Sequence, residues 1–170
     1  MRTNLLILPL LILTLLLAAC GFHLRGQGGS GHFPFQTLFI KAPNGNAPFI
    51  LDLKSAVQLY NIKLVDTPDK AELILHIVSE TPGTQILSLS NTGRVREYQL
   101  IYRVSLRAYD NKQQEWVPAD EIVLQRYLSY DNVQIIAKEM EESVLYKDMR
   151  TDAVQQILRR LSFAKPQPAL

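Results

Sequence analysis

The side chain with the most distinctive chemistry is Cys20, the only cysteine in the chain, which directly follows Leu17-Ala18-Ala19. A cysteine behind two small residues at the end of an apolar stretch is where a leader is cut off and a diacylglycerol group takes the thiol. A single thiol consumed in this way leaves no disulfide for the rest of the chain. The segment before it fits. Arg2 supplies a positive start, and Leu5 to Leu17 is apolar apart from Thr14. The stretch from Leu5 to Ala19, interrupted by Pro9, is shorter than the roughly 20 residues that cross a hydrocarbon core. Residues 1–19 therefore read as a cleaved export signal rather than a spanning helix, and Cys20 as the lipidated first residue of a membrane-anchored chain. Acyl chains contribute on the order of 0.8 kcal/mol per buried methylene, so several on one residue hold a protein to a bilayer. Gly21, not an aspartate, follows Cys20, which predicts sorting to the outer membrane, on its periplasmic side.

Other reactive constellations are missing from the sequence. There is no His-Glu-x-x-His, no Gly-x-Ser-x-Gly, no cysteine pair and no phosphate-loop spacing. His23 follows the anchor, His32 lies in a glycine-rich stretch, and His76 sits in an apolar run, where a lone histidine is far more often a packed side chain than a ligand. Glu139, Glu141 and Glu142 stand beside Lys138 and read as a solvated helix face. No nucleophile and base pair emerges, so neither an enzyme nor a cofactor is expected. With Arg2 in the leader, 17 basic residues remain against 16 acidic ones, and that near-neutral balance argues against a nucleic-acid binder. The basic residues are unevenly placed. Arg94, Arg96, Arg103 and Arg107 crowd one stretch, where an anionic ligand would be met locally.

Removal of the leader leaves about 150 residues, which suits one domain with one core. Residues 20–35 read as anchor and flexible tether, through Gly26-Gln27-Gly28-Gly29-Ser30-Gly31. The expected domain spans 36–163, and a tail from Ala164 carrying Pro166 and Pro168 is expected to be disordered. Thr37 to Ala42 reads as a strand. Pro43-Asn44-Gly45-Asn46 is a turn, with Asn46 or a neighbour as N-cap and Pro48 near the first helical position. Ile50, Leu53, Val57 and Tyr60 recur at helical steps up to Asn61.

Ala71 to Thr81 reads as a buried strand, broken at Pro82-Gly83, with a further extended piece from Gln85 to Ser90 and a turn at Asn91-Thr92-Gly93. Tyr98, Leu100, Tyr102, Val104, Leu106 and Ala108 alternate with Glu97, Gln99, Arg103, Ser105 and Arg107, the pattern of a half-buried strand. Asp110-Asn111-Lys112 turns the chain into a strand over Glu121 to Leu128. Asp131-Asn132 introduces a helix from about Gln134 to Leu161, with Ile136, Met140, Val144, Val154, Ile157, Leu158 and Leu161 inward and a break between the two halves left open. The order β-α-β-β-β-α predicts an α/β (α+β) two-layer sandwich, with both helices on one face of a roughly four-stranded mixed sheet.

Three segments in this order resemble the LptE family of lipopolysaccharide-assembly lipoproteins. They are Cys20-Gly21-Phe22-His23-Leu24-Arg25-Gly26, the hairpin Asn91-Thr92-Gly93-Arg94-Val95-Arg96-Glu97-Tyr98-Gln99-Leu100, and Tyr130-Asp131-Asn132 followed by Ala137-Lys138. The resemblance implies a non-catalytic lipoprotein that plugs and helps assemble the LptD β-barrel of the Gram-negative outer membrane and helps deliver lipopolysaccharide to its outer leaflet. It also implies two helices on a sheet, and lipopolysaccharide contact by basic residues. By position these are Lys138 and, since Asn91 stands where the family's hairpin carries a basic residue, Arg94 and Arg96. A second reading from the residues stays open: a free-standing periplasmic module that binds an anionic lipid or glycan at the same basic surface.

Overall fold

The computed structural model describes residues 33–130 and 135–167. The expected leader, Cys20, residues 21–32 of the expected anchor and tether with His23 and His32, Asp131-Asn132 and residues 168–170 lie outside them, whereas Phe33 and Phe35 at the end of the expected tether pack on the core. Eight elements follow in chain order: β1 (Thr37–Lys41), α1 (Pro48–Gln58), β2 (Lys63–Leu64), a 3-10 turn (Pro68–Lys70), β3 (Leu73–Leu89), β4 (Val95–Tyr109), β5 (Glu115–Ser129) and α2 (Ile135–Ser162). The strands form one sheet in the order β2-β1-β3-β4-β5. β1 is parallel to β2 and β3, while β3, β4 and β5 are antiparallel. The expected β-α-β-β-β-α mixed sandwich is the observed architecture, with five strands rather than four. The addition is β2, whose two residues pair with Thr37 and Leu38 and are too few for any periodicity to announce.

α1 starts at Pro48, where the missing N–H costs nothing and the fixed φ favours the helix. Its N-cap is Ala47, without a side-chain cap. Asn46 instead gives its backbone N–H to Asn44 Oδ1 at 3.1 Å in the preceding turn. The helix ends before Asn61, whose φ of 59° is left-handed, a conformation asparagine tolerates. Its face Phe49, Ile50, Leu53 and Val57 is buried. One core joins that face to Leu73, Leu75 and Ile77 of β3, Leu100 to Ala108 on alternate positions of β4, Ile122 and Leu128 of β5, and Met149 to Leu161 of α2. Both helices thus cover the same sheet face. A small second cluster of Ala71, Ile74 and Tyr109, with Phe39 and Val65, lies apart from that core.

Three expectations are corrected. Pro82-Gly83 does not interrupt β3, which runs unbroken for 17 residues. β1 ends opposite His76, so from Ile77 onward β3 is an edge strand, where a proline is tolerated. β5 begins at Glu115 rather than Glu121. Pro118 falls where the register shifts between Leu106 and Ala108, and such a bulge accommodates a proline within the strand. At the other end, Ala164 is buried and the Gln167 N–H donates to Glu115 O at 2.7 Å. Residues 164–167, expected in a disordered tail, therefore lie against the start of β5.

The sheet face away from the helices carries linked polar side chains beyond the small second cluster. Gln85, Gln99 and Gln125 join side chains across three strands, the second link at 2.9 Å. Ser105 donates to Glu121 at 3.3 Å, Arg103 meets Glu121 at 3.6 Å, and Ser88 donates to Glu97 at 2.8 Å.

Candidate functional site

β3 and β4 stay paired well past the core. Residues from Leu73 to Ile77 are buried apart from His76, whereas no residue from Val78 to Leu89 is. The hairpin closes through Gly93, whose φ of 77° only glycine adopts freely. Ser90 supports the turn: its Oγ accepts the Arg94 N–H at 3.0 Å, and its own N–H donates to Arg94 O at 2.7 Å.

α2 is one continuous helix beside this hairpin, and its buried side chains begin only at Met149. Within Arg150 to Arg160 it is tied down on both sides: Arg126 pairs with Asp152, Arg160 with Asp120 at 2.7 Å, and Arg150 faces Asp52 of α1 at 3.9 Å. Nearer its start Leu145 and Tyr146 pack half-buried against the core, and polar contacts reach the hairpin edge. The Tyr146 hydroxyl donates to Gly83 O at 2.8 Å, and Thr84 Oγ1 lies 3.0 Å from that hydroxyl and 3.3 Å from Glu142. Glu142, Tyr146 and Arg150 are spaced at i, i+4 and i+8, so they form one stripe. That stripe meets β3. The parallel stripe expected to point inward, Ile136, Met140 and Val144, is 75%, 68% and 57% exposed instead. The apolar spacing is that of one helical stripe, but its direction is the reverse of the one expected because the hairpin edge offers hydrogen-bonding groups to this part of the helix.

Between hairpin and helix lies an open cleft of about 530 Å³, lined by Glu80, Thr84, Tyr102, Tyr146 and Arg150 among others. Tyr102 is fully buried, and its hydroxyl donates to Glu80 Oε1 at 2.5 Å. Burial, reinforced by that acceptor, holds the phenol protonated far above its ordinary range.

Arg94 and Arg96 are both exposed at the hairpin's far end. The Tyr130 N–H donates to Arg96 O at 2.7 Å, which joins the end of β5 to that tip shortly before α2 begins. Lys138, in the first turns of α2, therefore lies at the same end of the molecule. Its ammonium is paired with Glu141 at 2.8 Å, and its side chain is only 18% exposed. Glu141 and Glu142, read from sequence as solvated, thus hold Lys138 and Thr84. Tyr146 and Arg150 escaped notice because one tyrosine and one arginine in a charged helix carry no pattern until the hairpin is placed beside them. Exposed Ile86, Leu87, Leu89, Ile135 and Tyr127 complete this end. Among the described residues no helix is long and apolar enough to cross a membrane.

This arrangement has relatives. The family model for LptE, described as lipopolysaccharide-assembly, matches residues 35–161. The chain is 30% identical to the LPS-assembly lipoprotein LptE of Yersinia enterocolitica over 95% of its own length and 77% of that protein. It is 27% identical to the LptE of Pectobacterium atrosepticum over 95% of this chain and 86% of that one. Among solved structures, an uncharacterized lipoprotein B from Nitrosomonas europaea matches with a TM-score of 0.71 at 43% identity, covering 84% of this chain and 90% of that one. The rare lipoprotein B from Shewanella oneidensis matches with a TM-score of 0.65 at 27% identity, covering 72% and 91%. The chain belongs to the LptE family of lipopolysaccharide-assembly lipoproteins.

Proposed function

We propose that the chain, lipidated at Cys20 and held on the periplasmic side of the outer membrane, is a non-catalytic plug that seats its open end inside an LptD-type β-barrel. There it assists the barrel's assembly and the delivery of lipopolysaccharide to the outer leaflet. Family membership supports the assembly role. The observation that carries the plug reading is the open end itself. Ile136, Met140 and Val144 on α2 and Ile86, Leu87 and Leu89 on the hairpin are all exposed. Two exposed apolar sets on neighbouring elements, one of them at regular helical spacing, support a partner site. The remaining surface suits a barrel lumen, which is polar, because the uncovered sheet face carries glutamine, serine and paired arginine side chains.

Lipopolysaccharide phosphates are met by Arg94 and Arg96 at the exposed tip, since arginine grips phosphate bidentately. Lys138 joins them only when its ammonium exchanges Glu141 for ligand, so it contributes less than the arginines. A free-standing binding module for an anionic lipid or glycan is the second reading. It is favoured by Arg94 and Arg96, for which no ion pair forms among the described residues. The test is gentle detergent extraction of membranes carrying the full chain. One-to-one recovery with a large outer-membrane β-barrel is expected, and recovery solely as a free monomer that binds lipopolysaccharide would replace the plug with the module.

A further inference from the structure

The register of the sheet places three basic residues side by side at its packed end, far from the hairpin tip. Lys41 of β1 lies opposite His76 of β3, which lies opposite Arg107 of β4. Neighbouring strands are about 4.8 Å apart, so two cations flank one imidazole within reach of a single small anion. Among the described residues neither Lys41 nor Arg107 forms an ion pair with an acid. Glu121 on β5 is engaged by Arg103 at 3.6 Å and by Ser105 at 3.3 Å.

The row is built rather than loose. The Arg107 guanidinium lies 5.0 Å from the centre of the Tyr109 ring, and the His76 ring meets the same tyrosine edge-on at 6.5 Å. His76 Nδ1 is buried without a hydrogen-bond partner, and an orphaned polar atom of this kind calls for a physical reason. Burial, then Lys41, then Arg107 lower the proton affinity of the imidazole. While the buried Nδ1 stays outside its reach, a bound anion relieves the charge on this row. It neutralises the flanking cations, and it gives the imidazole a reason to protonate. Three donors in a row match the three oxygens of a phosphate group better than the two of a carboxylate.

We infer that Lys41, His76 and Arg107 form a phosphate-binding site on the uncovered sheet face, taking the phosphate group of a small anion or of a lipid headgroup. The site goes beyond the barrel-plug reading and uses none of Arg94, Arg96 or Lys138. The anion favours the protonated imidazole, so binding raises the His76 titration midpoint; the charged groups facing His76 are Lys41 and Arg107 on the flanking strands.

The test uses the full lipidated chain in neutral detergent micelles, with the histidine side chains labelled for NMR and His76 assigned through His76→Gln. Inorganic phosphate is titrated first, then micelles doped with phosphatidic acid, with phosphatidylcholine as control. Bound phosphate is expected to raise the His76 titration midpoint by about one pH unit. Lys41→Gln and Arg107→Gln should each weaken binding by roughly tenfold and shrink the rise in midpoint that phosphate causes, which a purely structural role would not do. Arg107→Lys should keep binding. A response to inorganic phosphate supports a free-anion site, and a response to phosphatidic acid alone supports a headgroup site. No movement with either source overturns the inference, as does equal movement in the Lys41→Gln/Arg107→Gln variant. A response confined to a glutamate-rich peptide also overturns it, by assigning the row to a partner's carboxylate.

Discussion

From Met149 onward α2 lays Met149, Ala153, Val154, Ile157, Leu158 and Leu161 on the sheet. From Ile135 to Asp148 the same helix sets Glu142 and Tyr146 against the hairpin and turns Ile136, Met140 and Val144 to solvent. β3 divides in the same way, buried through Ile77 and open beyond. The molecule therefore has a packed end, where apolar periodicity found its partner within the chain, and an open end, where equally regular periodicity did not. The difference teaches that spacing predicts a face but not what covers it. A stripe left uncovered in one chain is surface available to another.

The comparison can be broken at several points. The largest effect belongs to the packed end: Leu161→Ala removes a fully buried side chain and should cost about 3 kcal/mol in denaturant unfolding. Ile136→Ala, at the open end, should stay within about 0.5 kcal/mol. Equal losses at both positions would erase the distinction. Tyr102→Phe, at the boundary, strips Glu80 of the donor that reaches it at 2.5 Å and should cost about 1–2 kcal/mol, read from the unfolding midpoint. In hydrogen exchange, amides over residues 135–148 should exchange faster than those over 149–162, because opening the first half exposes little apolar surface. Tyr146→Phe, which removes the hydroxyl bonded to Gly83 O, should widen that gap.

The smallest effect is one of pH. His76 binds its proton less readily folded than unfolded. Its contribution to stability is therefore complete above the unfolded value of about 6.5 and declines as pH falls below it. Unfolding midpoints compared between pH 7 and pH 5 should drop less in His76→Gln than in the natural chain.

Much of the packed end was legible in the sequence. The alternation from Tyr98 to Ala108 gave the sided strand, and the three-and-four spacing of Ile50, Leu53 and Val57 gave the buried face of α1. What escaped depends on pairing. Lys63–Leu64 is a strand only because Thr37 and Leu38 lie beside it. Pro82-Gly83 reads as a break because sequence does not show which strand positions are edges. The polar stripe Glu142, Tyr146 and Arg150 needed the hairpin edge to give it an inward side. For the candidate site, Arg94 and Arg96 lie exposed near the hairpin tip and Lys138 in the first turns of α2, but the Lys138–Glu141 pair at 2.8 Å is hidden among helix charges that look solvated. The Lys41–His76–Arg107 row belongs to three strands distant in sequence and exists only once their register is fixed.

The central claim is that the open end is a docking surface, and the most direct measurement compares capture by a large outer-membrane β-barrel for the natural chain and for Ile136→Asp/Met140→Asp. The account predicts that the variant keeps its unfolding midpoint but is no longer recovered one-to-one with the barrel. Undiminished recovery of a folded variant would contradict it.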